Sequence, residues 1–367
     1  MAGMFSLKSF SDINLEDPFF DSLKADYPGT ANSTGFEKWF YKKASQGERA
    51  LVFEDDMGLG AFIVLKDEED VLELFDRQLP RKRRIKISTI KIAERHRGVR
   101  HGEGAIGLVL WEWQKSGFEE IYVTVFDKQL GLIAQLEKFG FSNIGQNMNG
   151  ERIYLKDKRQ LDFSNQYTSF PFIKSGFNYA GYIIIDENYH DTMFAYSELA
   201  NKKVIFPMEI NNSVRNGISK IYVGQAPVIN HTIGEPVFIY RKSLCQSGRR
   251  YRSCITSYGV VTDTIQAKVG NRYLMTFEEL VTRIGNKSVF DRQELYEKYM
   301  NYKNVSIVEL LYYGYFGAGN NINMDWLDNN GCWVTMEKYP TEIHLSESHF
   351  KKILKKGNIN VSNVIID

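Results

Sequence analysis

Arg97-Gly98-Val99-Arg100-His101-Gly102 follows an alternating apolar run (Ile85, Ile87, Ile90, Ile92) and precedes a helical pattern. The reading of this hexamer decides the fold. Alternation places the isoleucines on a strand, and Ile106, Val109, Leu110 and Trp113 fall at spacings 0, 3, 4 and 7, one face of a helix. Between them lies a basic, glycine-bearing turn. A turn at a helix N-terminus aims backbone N–H groups at one point and adds the positive end of the helix dipole, which suits a phosphate. Gly98 and Gly102 allow close approach, having no Cβ.

Working outward, residues 1–160 alternate helix and strand patterns. Asp17-Pro18 opens a helix carrying Phe19, Phe20, Leu23 and Tyr27, and Phe36–Ala44 forms a second. Strands are expected at Arg49–Glu54 and Ala61–Lys66, a third helix near Glu68–Phe75, and a long strand over 84–93. After the glycine turn and its helix, Gly117 is a stop, and Ile121–Val125 reads as a buried strand. Gln129–Lys138 is the next helix and Glu151–Lys156 the last strand. The pattern is that of an α/β domain with a mixed sheet.

At 367 residues the chain is long enough for two domains. The formal net charge of +1 excludes a globally basic nucleic-acid binder but allows a local basic face. No basic stretch leading an apolar segment marks the N-terminus, and no 18-residue apolar run occurs. Cys245, Cys254 and Cys332 are odd in number and lack zinc-site spacing, so no metal is expected and free thiols in a reducing, cytoplasmic setting are. Residues 161–200 read as an irregular, aromatic, ordered connector, and 201–367 as short strands interrupted by helices, a small open β-barrel. Ser346 is expected to cap a last helix ending at Gly357.

The first domain resembles the GNAT superfamily of N-acetyltransferases. That family's pyrophosphate turn reads Gln/Arg-x-x-Gly-x-Gly/Ala, which Arg97, Gly98 and Gly102 fit, with Arg100 where the first motif glycine is expected. Leu132-Ile133-Ala134-Gln135-Leu136-Glu137-Lys138-Phe139-Gly140-Phe141 resembles the family's Ala-Ile-x-Leu-Tyr-x-Lys-x-Gly-Phe segment, over a span of roughly residues 5–157. The resemblance implies a splayed mixed sheet flanked by helices. It also implies acetyl-CoA as cofactor, held by Ile92, Arg97, Gly98, Val99, Arg100, His101, Gly102 and Glu103, with Gln129 where the family often has Asn. Leu136 stands where many members place a tyrosine acid, and leucine cannot give a proton. Glu94 is then a candidate base and Tyr122 a candidate acid; Glu94 reads equally as a charge-balancing surface residue. Arg81-Lys82-Arg83-Arg84 reads either as a solvated turn or as a basic rim attracting an acidic partner such as tRNA.

In the second domain, Gly224-Gln225-Ala226-Pro227, then Gly234-Glu235-Pro236-Val237-Phe238-Ile239-Tyr240, then Ser257-Tyr258-Gly259-Val260-Val261 resembles the PUA-like barrels of the ASCH and EVE group. That likeness implies RNA as a partner. Arg241, Lys242, Arg249, Arg250 and Arg252, beside Tyr222, Tyr240 and Tyr258, are the residues that suit phosphates and unpaired bases. A solubilising loop beside core tyrosines is the alternative. The expectation is an N-acetyltransferase directed to RNA or an RNA-associated amine. The alternatives are a catalytically weak coenzyme A- and RNA-binding regulator, or a protein or small-amine acetyltransferase whose barrel binds no RNA.

Overall fold

The computed structural model describes residues 5–29, 35–197, 199, 212–245, 247–333 and 343–367. Two compact units divide the chain. One takes in the chain up to Ala105 with Phe118–Glu137 and Phe141–Arg159; the other has Ile106–Gly117, Lys138–Gly140 and the chain from Gln160 on.

The first unit is built on seven strands: β1 (Ser6–Ser9), β2 (Arg49–Asp55), β3 (Gly58–Glu73), β4 (Gln78–Ile92), β5 (Glu120–Val125), β6 (Ser142–Gln146) and β7 (Arg152–Asp157). Their order in the sheet is β1-β2-β3-β4-β5-β7-β6. Only β4 and β5 run parallel; the other neighbours are antiparallel. Helices α1 (Asp21–Asp26) and α2 (Gly35–Ser45) belong to it, with the first residues of α3 (His101–Ser116) and all but the last of α4 (Leu130–Lys138). The Asp17 side chain accepts from the amides of Phe19 and Leu59, tying the turn before α1 to the start of β3. Phe20, Phe36 and Phe40 close on Phe10 and Phe62 in mostly edge-to-face contacts, so α1 and α2 cover the sheet face that bears Val52, Phe62 and Val64.

The helix expected near Glu68–Phe75 does not form, because β3 continues through Glu73. The reason is charge pairing across the hairpin. Glu68, Glu69 and Asp70 stand opposite Arg84, Arg83 and Lys82 in register. Arg83 holds Asp67, and Arg81 lies 3.6 Å from Glu69. Opposite charges facing one another across strands favour the ladder over a helix. The basic run 81–84 is therefore part of a strand, largely occupied by acids. Arg84 goes inward, where its Nε donates to Glu120 at 2.6 Å and its other nitrogens to the carbonyls of Asp70 and Pro80.

The second unit contains β8 (Ile173–Lys174), β9 (Gly181–Asp186), β10 (Ser219–Gly224), β11 (Pro236–Lys242), β12 (Cys254–Val269), β13 (Arg272–Tyr273), β14 (Val305–Tyr315), β15 (Ile322–Asn323) and β16 (Ile365–Ile366). Its helices are α5 (Gln166–Ser169), α6 (Glu187–Met193), α7 (Asn212–Asn216), α8 (Arg249–Arg252), α9 (Phe277–Ile284), α10 (Arg292–Asn301), α11 (Met324–Asn329) and α12 (Glu347–Lys356). The main sheet has the order β10-β14-β12-β11-β9. Three register shifts between β12 and β14 curl it. Its ends, β10 and β9, are not paired with each other among the described residues, so it is an open curled sheet. Residues 161–200, read as irregular, supply β9, which pairs parallel with β11, and α6. Ser346 caps α12 as expected, accepting from the His349 amide.

Glu120→Ala should unfold the protein earlier, because Arg84 would then be left buried without its carboxylate. Loss of a partner from a buried pair costs about 3–5 kcal/mol. Urea unfolding of the variant checks this, and a midpoint equal to wild type would count against a stabilising pair.

Candidate functional site

The parallel pair β4–β5 holds for only four residues, from Arg84↔Glu120 to Ile87↔Val123. Beyond it the two strands part. On its other side β4 stays paired with β3, but the register jumps from Leu65↔Ile87 to Val64↔Thr89, leaving Ser88 as an inserted residue. A bulge bends its strand and sharpens the twist. Ser88–Ile92 and Thr124–Val125 consequently keep the edges that face each other unpaired, while β5 stays bound to β7. Ser88, Thr89, Ile90, Lys91 and Ile92 are all half-buried, as expected of a cleft wall.

The split leads into the glycine turn. After β4, Ala93 leads into one 3-10 turn, Glu94–His96, and α3 begins at His101. Gly98 has φ +80°, the left-handed region that glycine takes without strain. Arg100 also lies there, at φ +65°. For a residue with a Cβ that costs about 1–2 kcal/mol. Its guanidinium turns to Glu103, with Nη2 2.8 Å from Oε1 and Nε 3.2 Å from Oε2. A Cβ added at Gly98 or Gly102 would meet nothing within 4 Å, so the turn is open on the side where both glycines lie. His101 is buried against Phe53 and His96, at ring-centroid distances of 4.3 and 4.7 Å, and His96 Nε2 lies 2.7 Å from Asp55.

The sequence-derived site residues divide into groups. Ile92, Arg97, Gly98, Val99, Arg100, His101, Gly102 and Glu103 come together as one turn at the end of β4. Glu94 belongs to the same turn but is fully solvated and paired with the equally exposed Arg97. Gln129 is exposed and ends up immediately before α4, its carbonyl accepting from Leu132 and Ile133. Tyr122 stands apart, below the split, opposite Lys86 in the paired part of β5. Its buried hydroxyl donates to Glu68, and burial followed by that bond raises its pKa far above that of an ordinary phenol. Such a group is a poor proton donor. Leu136 is wholly buried in α4.

A polar cluster that the sequence does not announce lies at the end of β5. Glu151 reads in sequence only as the start of a strand, yet the residue is 6 % exposed and its carboxylate accepts three side-chain hydrogen bonds. They come from Tyr27 (2.9 Å), Thr124 (3.3 Å) and Asn147 (2.8 Å). Thr124 is the first β5 residue beyond the last parallel pair. Tyr27, at the end of α1, lies against the Phe126 ring, and burial and then the Glu151 charge raise its pKa. Nothing in the spacing links residues 27, 124, 147 and 151; the fold alone does.

The basic residues of the second unit fare differently. Arg241 is enclosed, held by Asp191 at 2.7 and 2.8 Å and by Glu187 at 2.8 Å, so it is withdrawn from any nucleic acid. His190 joins the same network, between Asp191 (2.9 Å) and Thr256 (2.7 Å). Tyr240 and Tyr258 are core residues with no face to offer a base. Lys242 pairs with Asp186, and Arg250 with Asp325 and Asp328. Arg249 and Arg252 are left without an acidic partner among the described residues. No helix among the described residues is long and apolar enough to cross a membrane.

No protein-family model and no curated protein matches the sequence. Solved structures similar to part of the chain include the ribosomal-protein-S18-alanine N-acetyltransferase of Escherichia coli, 14 % identical, covering 41 % of this chain and 91 % of that one at a TM-score of 0.26. An N-acetyltransferase from Staphylococcus aureus is 14 % identical, with 42 % and 99 % covered and a TM-score of 0.30. A GNAT-family acetyltransferase from Streptococcus agalactiae is also 14 % identical, with 43 % and 98 % covered and the same TM-score of 0.30.

His101 gives the turn a measurable pH response. Burial, aided by the neighbouring His96 and opposed by Asp55, pushes its pKa from the ordinary 6.5 down to about 4. Between those values the unfolded chain binds a proton that the fold refuses, so stability falls as pH drops through that window. His101→Phe should shrink the fall in thermal unfolding midpoint between pH 7 and pH 5; an equal fall in both proteins would overturn this assignment.

Proposed function

We propose that the first unit is an acetyl-CoA-dependent N-acetyltransferase. The observation that carries the reading is the parted parallel pair leading straight into an open glycine turn at the start of α3. The free edge of Ser88–Ile92 offers backbone N–H and C=O groups for an extended, amide-bearing chain such as pantetheine. The turn offers a helix N-terminus and Gly102, at which a pyrophosphate can approach closely. Arg97 is exposed and near enough to add a charge-assisted contact. These residues fit coenzyme A, and the family resemblance of the sequence around 97–102 and 132–141 supports the same ligand.

Acetyl-CoA supplies an activated thioester. The acceptor nitrogen forms the C–N bond as the C–S bond breaks, one amine proton leaving with sulfur and another reaching solvent. The protein's contribution is to bring the two together and orient them. With leucine at 136 and Tyr122 committed to Glu68, thiol protonation falls to solvent or to a group other than those two. An RNA-borne acceptor would engage Arg249 and Arg252.

Gly102→Val should leave the unfolding of the free protein unchanged, since the new side chain enters open space. It should weaken coenzyme A at least about tenfold by occupying the phosphate's place. Calorimetric titration decides, and unchanged affinity would refute the placement. Transfer from labelled acetyl-CoA to lysine peptides, polyamines and bulk tRNA tests the activity; binding without transfer to any of them leaves a coenzyme A-binding protein. Replacing Arg249 and Arg252 together by Ala should lower tRNA retention at low salt and flatten its salt dependence. Equal retention would remove RNA from the reading.

A further inference from the structure

Among the described residues, each buried carboxylate other than that of Glu151 has a lysine, arginine or histidine beside it. Glu120 lies against Arg84 and Lys82, Asp157 against Arg159 and Glu309 against Lys287, while Glu235 has the His231 ring at 3.0 Å. Glu151 is as buried as these, yet among the described residues no lysine, arginine or histidine pairs with it. A carboxylate taken out of water without a cation is costly unless something supplies the positive charge. Its three neutral donors meet only part of that need. An ionised carboxyl group has about four lone-pair sites, and Tyr27, Thr124 and Asn147 take three.

The position of this incomplete shell matters. Thr124, which donates to Oε1, is the first β5 residue past the last β4–β5 pair, so the carboxylate is anchored where the strands open. Thr124 shares a sheet face with Tyr122, two residues earlier. Tyr122 faces Lys86, and β4 presents Thr89 and Lys91 on that face beyond the bulge, opposite Val64 and Phe62. Lys91 is itself occupied, donating to Phe19 O and to Ser22 Oγ at 2.6 Å. Tyr27, 41 % exposed and reaching Glu151 through a single hydrogen bond, lies on the solvent side of the cluster.

We propose that Glu151 is the binding site for the protonated amine of the acceptor, with Tyr27, Thr124 and Asn147 orienting its carboxylate. The ligand class is a primary ammonium on a flexible alkyl arm, as in a polyamine or a lysine side chain. The fourth lone-pair site receives one N–H of the ammonium, and the bound cation supplies the missing counter-charge. This rests on the acetyltransferase reading for its purpose but not for its chemistry.

The test titrates the full chain, with and without saturating coenzyme A, with n-butylammonium and with spermidine, using n-butanol as the uncharged control. Glu151→Gln keeps the shape and removes the charge. Wild type should bind both amines at least tenfold more tightly than Glu151→Gln, with butanol indifferent to the change. Equal amine affinity, or no amine binding to either protein, would overturn the proposal. If Glu151→Gln does not fold, Thr124→Val serves instead: it removes one orienting hydroxyl, and about threefold weaker amine binding supports the site whereas none counts against it. Coenzyme A titrated alone reports separately on the transferase reading. Its failure to bind would remove that reading and leave the amine result standing.

Discussion

Everything proposed for the first unit depends on one inserted residue in one strand. β3 and β4 form a long hairpin whose charged far half and apolar near half are in register with each other, so β4 cannot drift along β3. Ser88 takes up the single-residue mismatch between the two halves. The resulting bend lifts β4 from β5, which is held by β7 and does not follow. The paired half is locked by buried Arg84 on Glu120, one residue from each strand, at the first rung of the parallel ladder. Strong pairing at one end and a bulge at the other turn an ordinary parallel pair into a fork.

A fork places unsatisfied backbone groups on a protein surface, which elsewhere in a sheet would be a liability. Here it leads directly into the glycine turn and the start of α3. The edge of Ser88–Ile92 offers backbone groups that the β4–β5 ladder leaves over, Gly102 leaves the start of α3 open to close approach, and both lie along one continuous stretch of chain from Ser88 to Gly104. The strained Arg100 fits the same picture. Its left-handed backbone is the conformation that a glycine would take freely, and the ion pair with Glu103 helps to hold it there.

The sequence made the strand–turn–helix unit legible because its signals are local: alternation before the turn, glycines in it, a 3.6-residue period after it. Helices α2 and α12 were legible for the same reason. The helix expected at Glu68–Phe75 failed because the acids there have their partners at 81–84, outside any local window. Residues 161–200 read as irregular because β9 is only six residues long and gains its identity from β11, some fifty residues later. Arg241 read as a surface cation because five basic residues cluster in sequence, and only the fold shows Asp191 and Glu187 closing on it. Period and turn chemistry carry local structure, while charge pairing over long sequence distances decides which charged residues are available.

That distinction bears on how a site can be found. A charged residue is a candidate for a ligand not because it is charged but because its charge is unmatched where water cannot reach it. Arg81–Arg84, Arg241 and Arg250 all look promising in sequence and are all answered by acids in the fold. Glu151 looks like nothing in sequence and is the buried acid left without a cation among the described residues. It lies beside the point where β4 and β5 part, and its three donors come from the end of α1, β5 and the turn before β7. Parts of the chain far apart in sequence thus converge on a buried carboxylate with no basic side chain of the described residues beside it. In the proposed site an acceptor that carries a positive charge would supply the counter-charge, which would let the fork select amines before any chemistry begins.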